Sequence, residues 1–291
     1  MEYAWFLGCT VPARAQNYEM SARKVAEKLG LAITDVENFA CCGFPIKPIH
    51  REGAMVMAAR NLALAEVNGV SLCTLCAACT GIITEVNALM REDSDFAADI
   101  NRQLSVIGLK YNGTVDVKHF VRLLYEDVGL DGIKKHIVND LDGFPVAVHD
   151  GCHYLKPSEI YGGFDSPERP ATLDALVELT GARSVPYFER KRCCGGSLLG
   201  VEEPTALTVA GRKLAEVRDS EAEALIIVCP FCSVMYDANQ KKIETLLQEE
   251  LQVPVMYYPQ LLGLALGIPD KELGFRMNRL VPPSLLERAA S

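Results

Sequence analysis

Two adjacent cysteines followed by glycine occur twice in the chain, in "ACCGFP" at 40–45 and in "RCCGGS" at 192–197. A thiolate is a soft nucleophile and a soft metal ligand, so paired thiols point to redox chemistry or to metal binding. The remaining cysteines are patterned around the pairs. All eleven lie at 9, 41, 42, 73, 76, 79, 152, 193, 194, 229 and 232. Upstream of each pair a short apolar run ends in Gly-Cys, "WFLGCT" at 5–10 and "VHDGCH" at 148–153. Downstream lies a CxxC, within "CTLCAAC" at 73–79 and "CPFC" at 229–232. Cysteines acting only as small buried hydrophobes would not repeat in this order.

The repetition extends beyond the cysteines. "REGAMVMAARNLALAEVNGV" at 51–70 matches "VEEPTALTVAGRKLAEVRDS" at 201–220, each an acidic start followed by apolar residues at helical spacing. "DVKHFVRLLYEDVGL" at 116–130 matches "VMYYPQLLGLALGIP" at 255–269. Residues 1–143 and 144–291 therefore read as two copies of one unit. The turn-rich "NDLDGFP" at 139–145 serves as the connection.

Each copy must position its thiols, and alternating strands and helices supply the means. The predicted strands are 3–7, 31–36, 70–75 and 114–117 in the first copy. In the second they are 146–149, 183–187, 224–228 and 253–257. Such alternation predicts an α/β fold with a small, mainly parallel sheet flanked by helices in each copy, the two related by a pseudo-two-fold axis. The first cysteine, the pair and the CxxC then follow three successive strands. The carboxyl ends of parallel strands share one edge, where ligands bind, so cysteines distant in sequence converge there.

"CTLCAAC" holds two overlapping CxxC motifs. Between Cys194 and Cys229 lie 34 residues; between Cys42 and Cys76 lie 33, and between Cys42 and Cys73 only 30. The following run agrees, "CAACTGIITEVN" with "CPFCSVMYDANQ". Cys76 and Cys79 are thus the expected ligands and Cys73 a strand residue.

Five thiols per copy exceed the four that a structural zinc or a cubane [4Fe–4S] cluster takes. Adjacent side chains diverge, so a pair can serve different irons of an extended cluster. Iron–sulfur is favoured on thiol number, and zinc remains the alternative.

The composition is that of a globular chain, 49 % apolar and 23 % charged over 291 residues. The net charge of −9 argues against nucleic-acid binding through bulk charge. The apolar run "LLGLALGI" at 261–268 is too short to span a bilayer. The N-terminus has no basic region followed by a long apolar one. A cytoplasmic protein without membrane insertion is expected.

The motif order, in tandem, resembles the cysteine-rich "CCG" domain family, which includes the B component of methanogen heterodisulfide reductase and components of several respiratory dehydrogenases. The stretches "YAWFLGCTVPARAQNYEMSARKVAEKLGL" and "TLCAACTGIITEVN" look most like the heterodisulfide reductase member of that family. The resemblance implies two non-cubane [4Fe–4S] clusters. Cys9, Cys41, Cys42, Cys76 and Cys79 would hold one, and Cys152, Cys193, Cys194, Cys229 and Cys232 the other. It implies cleavage of the mixed disulfide of coenzyme M and coenzyme B to two thiols between the clusters. It also implies two partners, a ferredoxin-like iron–sulfur protein (heterodisulfide reductase C) and a flavin-containing protein (heterodisulfide reductase A), with a hydrogenase or formate dehydrogenase upstream.

That disulfide is anionic, so local cations are expected near the cysteines. Arg14, Lys47, Lys156, Lys191 and Arg192 are candidate substrate contacts, with His50 and Arg51 nearby. His153, directly after Cys152, is the candidate proton donor. Two other functions stay open: an electron relay within another respiratory or quinone-linked dehydrogenase complex, and a zinc-stabilised scaffold without activity.

Overall fold

The computed structural model describes residues 2–289. Two four-stranded sheets account for all its strands, and every neighbouring pair is parallel. The first contains β1 (Tyr3–Phe6), β2 (Ile33–Thr34), β3 (Ser71–Thr74) and β4 (Val117–His119), ordered β2-β1-β3-β4. The second contains β5 (Pro145–His149), β6 (Arg183–Ser184), β7 (Ala224–Ile227) and β8 (Val255–Tyr257), ordered β6-β5-β7-β8. The two orders are the same, as the duplication predicts. The central strands β1, β3 and β7 are buried at every residue, as strands covered by helices on both faces must be.

The edge strands are shorter than expected, for local reasons. Thr114 lies outside β4 because its N–H and hydroxyl both donate to Glu66, at 3.0 and 2.6 Å. β6 ends before Pro186, which has no N–H to continue a ladder. Asp35, next after β2, is drawn to Arg23 by a bidentate pair at 3.0 and 2.6 Å.

The halves pack closely on each other. Helix Tyr258–Ala265, from the second, lies on helix Gln16–Lys28 of the first. Helix Ala77–Glu92 lies against the turn Cys152–Leu155. Tyr18 stacks on Tyr257 with ring centroids 4.1 Å apart. Among the described residues no helix is long and apolar enough to cross a membrane.

Candidate functional site

The first cysteine and the CxxC of each half lie just past the carboxyl end of a strand, and the pairs lie on the loops that follow β2 and β6. Cys9 follows β1 and begins the turn Thr10–Arg14; Cys152 occupies the same place after β5. Cys76 caps helix Ala77–Glu92 and Cys79 lies in its first turn. Cys229 caps helix Pro230–Ser233, with Cys232 in that turn. Exposed amide N–H groups at helix starts favour the thiolate form.

The pairs at 41/42 and 193/194 stand on loops held by glycine. Gly43 and Gly195 adopt φ of +87° and +79°. A β-carbon would come within 2.5 Å of the Ala54 carbonyl oxygen at the first and 2.8 Å of the Ala206 carbonyl oxygen at the second. Only glycine lets the loop lie this close to the following helix. Amides of Gly195 and Gly196 donate to the sulfurs of Cys193 and Cys194, each at 3.4 Å.

The thiols form one continuous series. Cys41 lies 3.9 Å from Cys9, sulfur to sulfur. Cys41 and Cys42, Cys42 and Cys79, and Cys79 and Cys76 are near enough to perturb one another's ionisation. The same mutual influence reaches from Cys76 to Cys229 of the other half and runs on through Cys232, Cys194 and Cys193 to Cys152. Such neighbours cannot all ionise. The neighbouring Cys41 thiol draws Cys42 down to about 4, while Cys42 and burial push Cys41 far up. Cys193 and Cys229 are likewise drawn down by neighbouring thiols, and Cys152 and Cys232 are pushed up. Ten thiolates here require compensating cations.

Cys73 does not belong to this series. It lies fully buried within β3, in register with Trp5 and Lys118, and burial raises its thiol well above the ordinary value.

A narrow cavity of about 40 Å3 opens beside the second set of thiols. Cys152, Cys193, Cys194, Cys229 and Cys232 line it from one half, and Phe44, Ala77 and Ala78 from the other. His153 lines it too, its ring edge-on to Phe44 at 4.7 Å. Burial holds the imidazole below its usual value, so it is neutral at pH 7. A second cavity of about 30 Å3 shares Gly151 and Cys152 with the first. Lys156 and Lys191 line this one.

The other candidate cations are placed differently. Lys47 is ion-paired with Glu85, and Arg192 with Glu189 at 2.9 Å. Arg14 lines a separate groove with Asn17, Ser233 and Asp237. His50 caps helix Arg51–Val67, its Nδ1 accepting the Gly53 N–H at 2.9 Å.

Sequence reasoning missed a buried polar layer beneath the thiols. Lys213, with no exposure, donates to His149 Nδ1 at 2.9 Å and to the carbonyls of Arg190 and Arg192 at 2.8 and 2.7 Å. Arg190 holds Asp150 through two bonds of 3.0 Å. A lysine in "GRKLAEV" looks like an ordinary surface residue of a helix. The match of 51–70 with 201–220 sets it opposite Ala63, so no signal in the sequence marks it.

The thiol set suits an iron–sulfur group. Five soft donors per half face one sheet edge, and the ferric and ferrous ions of such a group supply the cations that the crowded thiolates need. Among the described residues no three His, Cys, Asp or Glu side chains converge as ligands of a single ion would.

Fold and site thus define a duplicated α/β protein that presents two sets of five cysteines at the carboxyl edges of its sheets. The chain belongs to the CCG cysteine-rich domain family, whose pattern matches residues 3–84 and 146–237. It is 34 % identical over 279 residues to the B component of the ferredoxin/F(420)H(2)-dependent CoB-CoM heterodisulfide reductase of Methanosarcina acetivorans, covering 94 % of this chain and 92 % of that one. It is 32 % identical over 281 residues to the 8-methylmenaquinol:fumarate reductase membrane anchor subunit of Wolinella succinogenes, covering 95 % and 96 %. The fold also matches the crystal structure of a hypothetical protein from Helicobacter pylori with a TM-score of 0.79 at 19 % identity. That match covers 96 % of this chain and 51 % of the other, so the chain spans about half of that protein's length.

Proposed function

We propose that the chain is the disulfide-reducing member of a multi-subunit oxidoreductase, acting on the mixed disulfide of coenzyme M and coenzyme B. One non-cubane [4Fe–4S] cluster would be held by Cys9, Cys41, Cys42, Cys76 and Cys79 in residues 1–143. The other would be held by Cys152, Cys193, Cys194, Cys229 and Cys232 in residues 144–291. The observation that carries this reading is the cavity lined by Cys152, Cys193, Cys194, Cys229 and Cys232 of the second half and completed by Phe44, Ala77 and Ala78 of the first, next to the CxxC of the first set. Its meaning is strengthened by the Methanosarcina relatives named as components of CoB-CoM heterodisulfide reductases.

Bound clusters supply one-electron transfers, two of which open a disulfide. Overall the S–S bond breaks, two electrons and two protons are taken up, and two thiols leave. The chain's residues bind and protonate. His153, beside the thiol-lined cavity, relays protons: its neutral ring takes up a proton from solvent and, as the imidazolium, passes it to a departing thiolate. Phe44 and Phe231 make the cavity wall apolar and keep water from the reacting sulfurs. Lys156 and Lys191 present positive charge in the adjoining cavity to sulfonate, phosphate or carboxylate groups. Lys47 and Arg192 contribute only by exchanging their carboxylate partners for the substrate, and Arg14 by reaching from its own groove.

Electrons arrive from a ferredoxin-like protein, itself served by a flavoprotein and by a hydrogenase or formate dehydrogenase. The purified chain alone is expected to carry about eight irons, by the composition of two such clusters, and to show no turnover with a physiological reductant. The assembled complex is expected to reduce the heterodisulfide. Zinc at about two per chain in place of iron would reject the reading.

A second reading follows from the Wolinella relative: a component of a quinol-linked reductase, docked on a membrane partner. Co-purification with a membrane-spanning cytochrome, without heterodisulfide turnover, would favour it.

A further inference from the structure

The two thiol sites are built on the same loop scaffold but on unlike supports. Cys42 corresponds to Cys194, and the same offset brings Asn61 to Lys213, both fully buried on the helix after the CCG loop. Each grips that loop from below. Asn61 accepts the Ala40 N–H at 2.9 Å and donates to the carbonyls of Ala40 and Cys41, both at 3.3 Å. Lys213 donates to the carbonyls of Arg190 and Arg192. The mechanical task is shared; the charge is not.

Lys213 is an ammonium by its bonding. It faces three acceptors, the two carbonyls and His149 Nδ1, within 2.9 Å, and only the protonated amine has three hydrogens to give. His149 Nδ1 also lies 3.4 Å from the Arg190 carbonyl oxygen, and its Nε2 is buried with no partner. The corresponding place at the end of β1 is Phe6, packed on Phe39 at 5.5 Å. Burial lowers Lys213 to about 8. Asp150 is neutralised by Arg190, which also binds Asp174 at 2.8 Å. Backbone N–H donation to sulfur does not distinguish the sites, since Gly43 and Phe44 serve Cys41 and Cys42 as Gly195 and Gly196 serve the second pair.

A buried cation favours the more negative, reduced state of a neighbouring redox centre, and net charge is one of the terms that set such potentials. The geometry points to Lys213 as a positioning residue that raises the reduction potential of the second thiol site above that of the first, making the halves unequal electron acceptors. This rests on the proposed iron–sulfur loading of both sites. The first electron to arrive settles in the half containing residues 152–232.

The test is a mediated redox titration of the iron-loaded full chain, followed by absorbance and electron paramagnetic resonance. A Cys41→Ala background silences the first site for assignment. Native protein should show two separated steps, the second site higher. Lys213→Gln removes the charge and keeps a donor; it should lower the second site's reduction equilibrium at least tenfold, about 59 mV for one electron. Lys213→Arg should restore most of the shift, and neither should move the first site. Equal potentials in the native chain overturn the inference without any variant. So do Gln and Arg variants that shift alike, which is the mark of a purely structural lysine. Native chain without redox-active iron overturns both this inference and the loading on which it rests.

Discussion

The Tyr18 hydroxyl donates to the carbonyl oxygen of Val228 at 3.1 Å, and His119 Nε2 meets that same oxygen at 2.9 Å. Both donors come from the first half, and the acceptor immediately precedes Cys229. The Val121 N–H donates to His119 Nδ1, so Nε2 carries the ring proton. The backbone that presents the second CxxC is thereby fixed by the opposite half. Tyr18→Phe leaves the stack on Tyr257 but removes one of these bonds. It should cost about 1 kcal/mol, the usual worth of a buried hydrogen bond, read from chemical denaturation. No change would mean that the His119 bond alone fixes the carbonyl.

Acid should weaken the folded chain through two histidines. Burial lowers His119 to about 4 and His149 to about 3, against an unfolded value near 6.5. Between those limits the unfolded chain binds more protons, so stability falls as pH falls. From pH 7 to pH 5 each group should remove about 2 kcal/mol. His119→Gln keeps a donor toward Val228 and should remove its share of the slope. A variant with the slope of the native chain would place the titration elsewhere.

Removal of single thiols separates ligands from strand residues. Cys73→Ala should keep all the iron, because that sulfur lies inside β3 and takes no part in the thiol series. Cys79→Ala should lose the first cluster and about half the iron. The opposite pattern would reassign the CxxC to residues 73 and 76.

Loss of either site should abolish heterodisulfide reduction rather than halve it. Cys41→Ala and Cys193→Ala should each bring turnover in the assembled complex to background, while the untouched half retains its iron. Appreciable turnover with one cluster would end the two-site reading.

The glycine of each CCG motif should be intolerant of any side chain. Gly43→Ala adds a β-carbon 2.5 Å from a backbone oxygen at a left-handed φ, with no flexible group to yield. A loss of at least about 2 kcal/mol is expected from strain and overpacking together. Thermal unfolding of the iron-free chain measures it apart from cluster binding.

Residue type and spacing alone disclose some parts of this molecule and hide others. Parallel sheets and duplication are legible because buried parallel strands leave short apolar runs, and repeated cysteines follow those runs in the same order in both halves. Strand limits at residues 114–117 and 183–187 are not, because Glu66 and Pro186 decide them through side-chain capture and a missing donor. The thiols that gather at the two sites can be named from spacing alone. Lys213, His149 and Asp150 cannot, since charged residues read as solvated until a fold buries them. Lys47 and Arg192 show the converse: proximity to a motif in sequence does not reveal the carboxylates that occupy them.

Helix Tyr258–Ala265 rests on helix Gln16–Lys28, and Asn278 donates to the Val255 carbonyl at 2.7 Å while its Oδ1 accepts from Asn17 at 3.0 Å. An early element of the chain is thus covered by a late one. During synthesis all the cysteines of the first half leave the ribosome long before their cover does. Contacts of such sequence separation form slowly and leave apolar surface exposed meanwhile. The nascent first half therefore passes through an interval with its thiols assembled and its flank still open. In that interval the chain is accessible to cluster-assembly factors, and it is equally exposed to oxidation and to association with other unfinished chains.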